Sequence, residues 1–516
     1  MAGINPAKNK KTTHRRLLMI TNDEGIVHLK HKIIEEVARL AWEDNLTEEA
    51  KEELVYKIIP GPKANYRCCI YKERELVRQR IRLCEGLCPT ADPDKQSDNI
   101  VQILEPACEG CPISAYAVTD NCRLCVGKAC QSSCNFGAIS TGRDRSYIDP
   151  TKCRECGKCA QACPYSAIAH LERPCKKACP TGAITYDENG ICKIDESKCV
   201  QCGHCIHACP FGAISSKSFL VDIIKNIKAG KKVIAMCAPA TEGQFGPDIT
   251  MASIKAALKK MGFFDMVEVG LGGDMTAAYE SKEWMEALEE GRKMTTSCCP
   301  AFINMLKKHF PEQYKENMST TVSPMCAISR YLKAIHPGCV TVFIGPCIAK
   351  KAESQDKSVP DNADYVMTYG EFRALLRSRD MELTPVTDEY QEASVWGKRF
   401  ATSGGVANAV MECMQERGID TAVIKLKKAA GGDECKKTLT LLKFGKLPED
   451  FVEGMVCPGG CVGGPSKHKT AVEITRAREG LLQTADSRKV LENLKQYPMD
   501  KFSMFRDGHM GDHDID

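Results

Sequence analysis

A chain of 516 residues exceeds what one hydrophobic core supports and should divide into two or three domains. With 71 basic against 67 acidic residues, its net charge of +4 offers no basic footprint for nucleic acid. No apolar run approaches the roughly 20 residues that span a bilayer, so no membrane association is expected.

Residues 8–16 are basic but lack the apolar core of a secretory signal, and Asp23 and Glu24 follow too soon for a transit peptide; cytoplasmic residence is the expectation. Residues 1–100 read as helical and charged, with Asn45 or Thr47 capping a helix over residues 48–57. The pairs Cys68/Cys69 and Cys84/Cys88 close no ligand spacing and receive no role.

Seventeen of the 31 cysteines lie between Cys108 and Cys209. A disulfide framework belongs to small secreted domains, so metal ligation is the better reading. Four times the sequence repeats Cys-x3-Cys-(Pro/Asn)-x-(Gly/Ser)-Ala-Ile, ending at Ile139, Ile168, Ile184 and Ile214. Two runs, Cys153/Cys156/Cys159/Cys163-Pro164 and Cys199/Cys202/Cys205/Cys209-Pro210, match the C-x2-C-x2-C-x3-C-P pattern of bacterial ferredoxins. A third, Cys122/Cys125/Cys130/Cys134, has a longer middle loop and Asn135 in place of proline. Structural zinc uses isolated C-x2-4-C pairs, not such tandem runs.

In these runs the fourth cysteine ligates the other run's cube. One 4Fe-4S cluster then takes Cys122, Cys125, Cys130 and Cys163; a second takes Cys153, Cys156, Cys159 and Cys134. Cys179 completes a third with Cys199, Cys202 and Cys205. Cys175 and Cys209 then need two partners, and the nearest unused pair, Cys108 and Cys111, gives a fourth, split site at the outer end of the wire; Cys192 is left over as a buried thiol. Cubes carry one electron at a time, so several in line require a terminus where electrons are used.

Beyond residue 217, β-rich segments at 233–236, 266–269 and 340–344 alternate with helices at 252–261 and from Thr276, the texture of an α/β domain. Cysteines here are sparse and sit in three loops: Thr296-Ser297-Cys298-Cys299-Pro300, Gly345-Pro346-Cys347-Ile348-Ala349-Lys350, and Cys457-Pro458-Gly459-Gly460-Cys461. Residues 499–516 read as a mobile polar tail, with His509 and His513 in solvent.

Together the three loops resemble those of the iron-only (FeFe-type) hydrogenases, across residues 100–485. The resemblance implies an H-cluster, a 4Fe-4S cube joined through one cysteine to a two-iron carbonyl/cyanide/dithiolate unit. It assigns Cys299, Cys347, Cys457 and Cys461 as cube ligands, with Cys461 bridging, and Cys298 as the last proton relay. It also assigns Lys350 as donor to one cyanide, the only counter-ion in its motif, Ser319 to the proton path, and Pro239 and Ala240 to the pocket. The implied fold is α+β and α/β: a helical region (1–100), ferredoxin-like 4Fe-4S domains (101–216), a two-lobed α/β H-cluster domain (217–498) and the tail. The implied reaction is reversible reduction of protons to dihydrogen, with ferredoxin or another low-potential carrier as electron partner and maturation proteins supplying the two-iron unit.

Several positions depart from the family pattern: Gly345 for methionine, Phe302 for tryptophan, Gly464-Pro465-Ser466 ending the third loop, and Ala240 for a serine. After Asp274-Met275-Thr276, Tyr279 takes the position of the family's glutamate, so the upstream proton route is expected to differ and to use Glu280 or Cys326. Other classes remain: a hydrogen sensor, which would carry a signalling module; an iron-sulfur carrier or assembly protein, which would not need Cys298; and a polyferredoxin, which would leave the last 300 residues unexplained.

Overall fold

The computed structural model describes residues 25–65, 67–111, 115–386, 390–483, 485 and 487–510. The basic stretch at 8–16, Asp23, Glu24 and His513 lie outside the described residues.

Three helices, Ile26–Trp42, Glu48–Ile58 and Ile70–Cys84, open the described chain. Thr47 is the cap of the second, its side chain accepting from the Ala50 N–H at 3.2 Å, and Glu48 and Glu49 suit the positive end of the helix dipole. Ile33, Val37, Leu54 and Val77 share one core with Val233, Ala235, Val342 and Ile344. The helices are thus built into the C-terminal half.

Each Cys-x3-Cys repeat delivers its isoleucine into a three-residue strand: Ile139–Thr141, Ile168–His170, Ile184–Tyr186 and Ile214–Ser216. Antiparallel pairing of Tyr116–Val118 with Ile168–His170, and of Ile139–Thr141 with Ser146–Ile148, makes an outer ferredoxin-like unit. Ile184–Tyr186 with Cys192–Ile194, and Val101–Ile103 with Ile214–Ser216, make an inner one. The outer unit is nested within the inner unit's sequence. Cys108 and Cys111 follow Val101–Ile103, which carries them into the inner unit and not to the outer end expected from linear order.

The C-terminal half holds two all-parallel sheets. One runs Asp265–Glu268, Val233–Cys237, Val340–Gly345, Tyr365–Thr368; the other Met294–Thr295, Phe451–Met455, Leu426–Ala430. Val233–Cys237 and Phe451–Met455 are buried throughout, as parallel strands covered on both faces must be. In such sheets functional loops gather at the carboxyl ends of strands.

Two expectations are corrected here. The helix placed from Thr276 begins at Val269. Its Gly270, Gly272 and Gly273 permit tight packing, not a loop: a Cβ on Gly272 would lie 2.3 Å from the Pro324 carbonyl oxygen. The tail is docked as far as Arg506, with His509 exposed as expected. Met499, Phe502 and Met504 are buried, Val322 N–H donates to the Met504 carbonyl at 2.8 Å, and Arg330 donates to the Ser503 and Phe505 carbonyls at 2.7 and 2.6 Å.

Candidate active site and its electron and proton approaches

In the outer unit, Cys122, Cys125, Cys130 and Cys163 line one cavity. Burial, together with the nearby Cys153 and Cys134, pushes the Cys159 thiol up, while Cys156 is exposed. In the inner unit, burial pushes Cys205 well above the usual thiol range, reinforced by Cys202, Cys199 and Cys179.

The remaining inner cysteines also converge. Burial raises the Cys108 and Cys111 thiols, and both feel Cys175 and Cys209. The leftover thiol, Cys192, is buried here: its N–H donates to Cys108 Sγ at 3.3 Å, and its thiol bonds Cys175, holding that thiol below its usual range.

Loops from both parallel sheets meet at a second, far more apolar cavity. Ala238, Pro239 and Ala240 follow the strand Val233–Cys237; Pro346, Cys347 and Lys350 follow Val340–Gly345. Cys298 and Cys299 follow Met294–Thr295; Cys457, Gly460 and Cys461 follow Phe451–Met455. Cys299 caps the helix Pro300–His309, whose first-turn proline fixes the chain's exit. Gly460 sits at φ +92°, and a Cβ there would lie 2.7 Å from Ser403 N, so this turn needs glycine.

Four cysteines of three loops thus face one another. Burial pushes Cys347 and Cys461 up to about 12 and Cys457 well above the usual range, with each other's charge adding to the effect. Such thiols ionise only when a metal takes the proton's place. A buried, carbon-walled cavity lined by five thiols and one lysine fits a thiolate-bound iron-sulfur group; it has no lining suited to a hard, oxygen-liganded cation.

Lys350 has a partner just beyond its motif. Its Nζ pairs with Glu353 Oε2 at 2.6 Å, one turn along the helix Ala349–Ser354, and donates to Ser323 Oγ at 2.8 Å. Burial works to lower its pKa, but the Glu353 pair prevails and holds the ammonium above its ordinary value. Ser323, which also caps the helix Pro324–Ile335, positions the ammonium at the cavity wall.

Cys298 lines the same cavity. Burial first, then Glu280 and Cys299, pushes its thiol well above the usual range, so it stays protonated at neutrality. Behind it lies Glu280, fully buried, its Oε1 accepting from the Ser297 N–H and hydroxyl, both at 2.9 Å. Oε2 has no close donor. Burial lifts this carboxyl to about 7. Ser319 lies beside both Glu280 and Glu283 and lowers their pKa against the effect of burial, and Glu283, raised by burial, accepts from the Thr320 N–H at 3.0 Å nearer the surface.

Tyr279, by contrast, packs edge-on against Phe505 at 6.0 Å. Cys326 is a core thiol pushed up to about 11 by burial, its N–H donating to Ser323. Of the two proposed relays, Glu280 is the one beside Cys298. Sequence reasoning missed Glu283, although it lies three residues on, on the same helical face.

It also missed His204, inside the Cys202-Gly203-His204-Cys205 loop. Its Nε2 stands 3.4 Å from Cys457 Sγ, and Gly203 packs on Ile348, so the inner unit touches two of the cavity loops. Among the described residues no helix is long and apolar enough to cross a membrane.

Three family profiles match the chain: iron only hydrogenase large subunit, C-terminal domain, at residues 231–465; 4Fe-4S dicluster domain, at 173–213; and 4Fe-4S binding domain, at 146–169. The periplasmic [Fe] hydrogenase large subunit of Nitratidesulfovibrio vulgaris is 30% identical over 61% of this chain and 85% of its own length. Iron hydrogenase 1 of Clostridium pasteurianum is 28% identical over 66% of this chain and 68% of its own. The nuclear prelamin A recognition factor of Homo sapiens is 24% identical over 46% of this chain and 64% of its own.

Proposed function

On the premise that the chain belongs to the iron-only hydrogenase family, we propose that it interconverts protons and dihydrogen, drawing electrons through four 4Fe-4S clusters. The carrying observation is Cys298, which shares a cavity with Cys299, Cys347, Cys457 and Cys461 and is backed by Glu280. Those four cysteines would hold the cube of an H-cluster, with Cys461 bridging. When bound, that group supplies the metal centre at which protons and electrons combine.

The chain's own residues serve the two deliveries. Glu283 takes a proton near the surface, Ser319 hands it to Glu280, and Glu280, poised at about 7, exchanges with the thiol of Cys298. Ser297 holds Glu280 Oε1, leaving Oε2 for the moving proton. Lys350, held by Glu353 and Ser323, meets the anionic face of the group. Pro239 and Ala240 wall the pocket and exclude water. Electrons from a ferredoxin or another low-potential carrier enter at the outer unit, where Cys156 is exposed, and leave the wire at the His204 loop.

Similarity to a probable cytosolic Fe-S cluster assembly factor of Anopheles gambiae, 23% identical over 45% of this chain, supports a second reading, an iron-sulfur carrier without the two-iron unit. Such a carrier gives no work to a buried thiol backed by two carboxylates, and so the hydrogenase reading is preferred. Protein loaded by the maturation proteins should show infrared bands of bound carbonyl and cyanide and evolve hydrogen from reduced viologen. Absence of both would leave the carrier.

A further inference from the structure

The N-terminal helices carry no motif, yet they bring cations to one corner of the inner ferredoxin-like unit. Arg80, 4% exposed, donates to the Gly212 carbonyl at 2.8 Å, three residues past Cys209. Lys30 packs on the same glycine: a Cβ there would lie 3.1 Å from its Cε and 3.2 Å from Arg80 Nη2. Arg67 donates to the Phe211 carbonyl at 3.0 Å, with its guanidinium 5.4 Å from that ring's centre. Leu76 and Leu83 close the apolar side against Leu104, Ala107, Ala213, Cys108 and Cys209.

Acids also stand on this face: the buried Glu73 accepts from the Arg67 N–H at 2.8 Å. Glu109 lies between Cys108 and Gly110 and pairs with Lys72 and with Arg67, the latter at 3.8 Å. Among the described residues no carboxylate pairs with Lys30 or Arg80, and Arg80 Nε is buried without an acceptor. A buried cation with a half-buried one beside it is costly unless an anion faces them. The anion at hand is a cube on Cys108, Cys111, Cys175 and Cys209, whose total charge with four thiolates is about −2 when oxidised and about −3 once one electron has arrived from the carrier.

We propose that the N-terminal helices are the cationic cap of this inner split cluster, with Lys30, Arg67 and Arg80 stabilising its reduced state so that it holds an electron more tightly than the other stations of the wire. The inference rests on the reading that these four cysteines hold a cube. Further along, Asn99 hydrogen-bonds Cys199 of the neighbouring cube but brings no charge to it. The split site is then the point where the chain stores charge ahead of the cube on Cys179, Cys199, Cys202 and Cys205.

Redox titration of the reconstituted full chain, followed by electron paramagnetic resonance, tests both layers. Cys111→Ala should remove one cube's signal and about four irons; unchanged iron and spectra would refute the fourth cube itself. With that signal identified, Lys30→Met and Arg80→Met should each make the same cube harder to reduce, lowering its reduction equilibrium constant roughly tenfold, while the other cubes keep their potentials. An unmoved signal in both variants, at native iron content, would overturn the cap. Lys30 is only half-buried, so Lys30→Met keeps the test decisive if Arg80→Met fails to fold.

Discussion

The two approaches to the central cavity are built on opposite plans. The proposed electron approach is a repeat: four copies of one motif, each with its cysteines, short helical turn and three-residue strand. The proposed proton approach is a constellation used once, assembled from the helix Val269–Glu289, the Ser297-Cys298 turn and the segment around Ser319. A repeated device tolerates local change, because cubes exchange electrons through space. A single-file relay of hydrogen-bonded groups fails at its weakest member.

That contrast sets the order of expected effects. Cys298→Ala should nearly abolish hydrogen evolution, on the order of 10³-fold, with iron content and cluster spectra intact; retained turnover would dismiss the relay. Glu280→Gln keeps the Ser297 bonds but cannot pass a proton, and should cost about 10²-fold, whereas Tyr279→Phe and Cys326→Ala should cost little in steady-state assays. On the electron side, His204→Leu should slow reduction of the cavity's cube by about tenfold in stopped-flow mixing while leaving the outer clusters' reduction unaltered. Equal losses on both sides would erase the contrast.

A subtler effect concerns stability. Glu280 keeps its proton in the folded state up to about 7, against 4.5 when exposed, so the folded state binds the extra proton between these values. Its contribution is complete below pH about 4.5 and is lost as pH rises through about 7, amounting to roughly 3 kcal/mol at most. Glu280→Gln should therefore gain stability relative to the parent between pH 5 and 8 in denaturant titrations.

Legibility followed the same division. Cysteine spacing gave groups of cysteines that stand together in the outer and inner units, because ligand geometry forces a local pattern that survives in linear order. What spacing could not carry was nesting: only the pairing of Val101–Ile103 with Ile214–Ser216 relocates Cys108 and Cys111. The two-lobed α/β half was readable from apolar runs, but the start of the helix at Val269 was hidden by glycines whose purpose is contact with Pro324. Glu280 was noticed but ranked beside Cys326, since helical phase alone does not say which face meets a turn 17 residues away. Lys350's partner Glu353 lay one turn on and was overlooked because a buried ion pair looks like ordinary surface charge in sequence.

The docked segment 499–506 bears on how the molecule comes to work. Its Met504 carbonyl and Arg506 N–H bracket residues 320–322, the stretch immediately after Ser319. That stretch is buckled into place by chain that leaves the ribosome well after the four cavity cysteines. Contacts so distant in sequence form late in folding. A nascent chain can therefore gather its thiols before its hydroxyl relay is set, and trimming at residue 498 should yield a protein that loads iron yet turns over slowly.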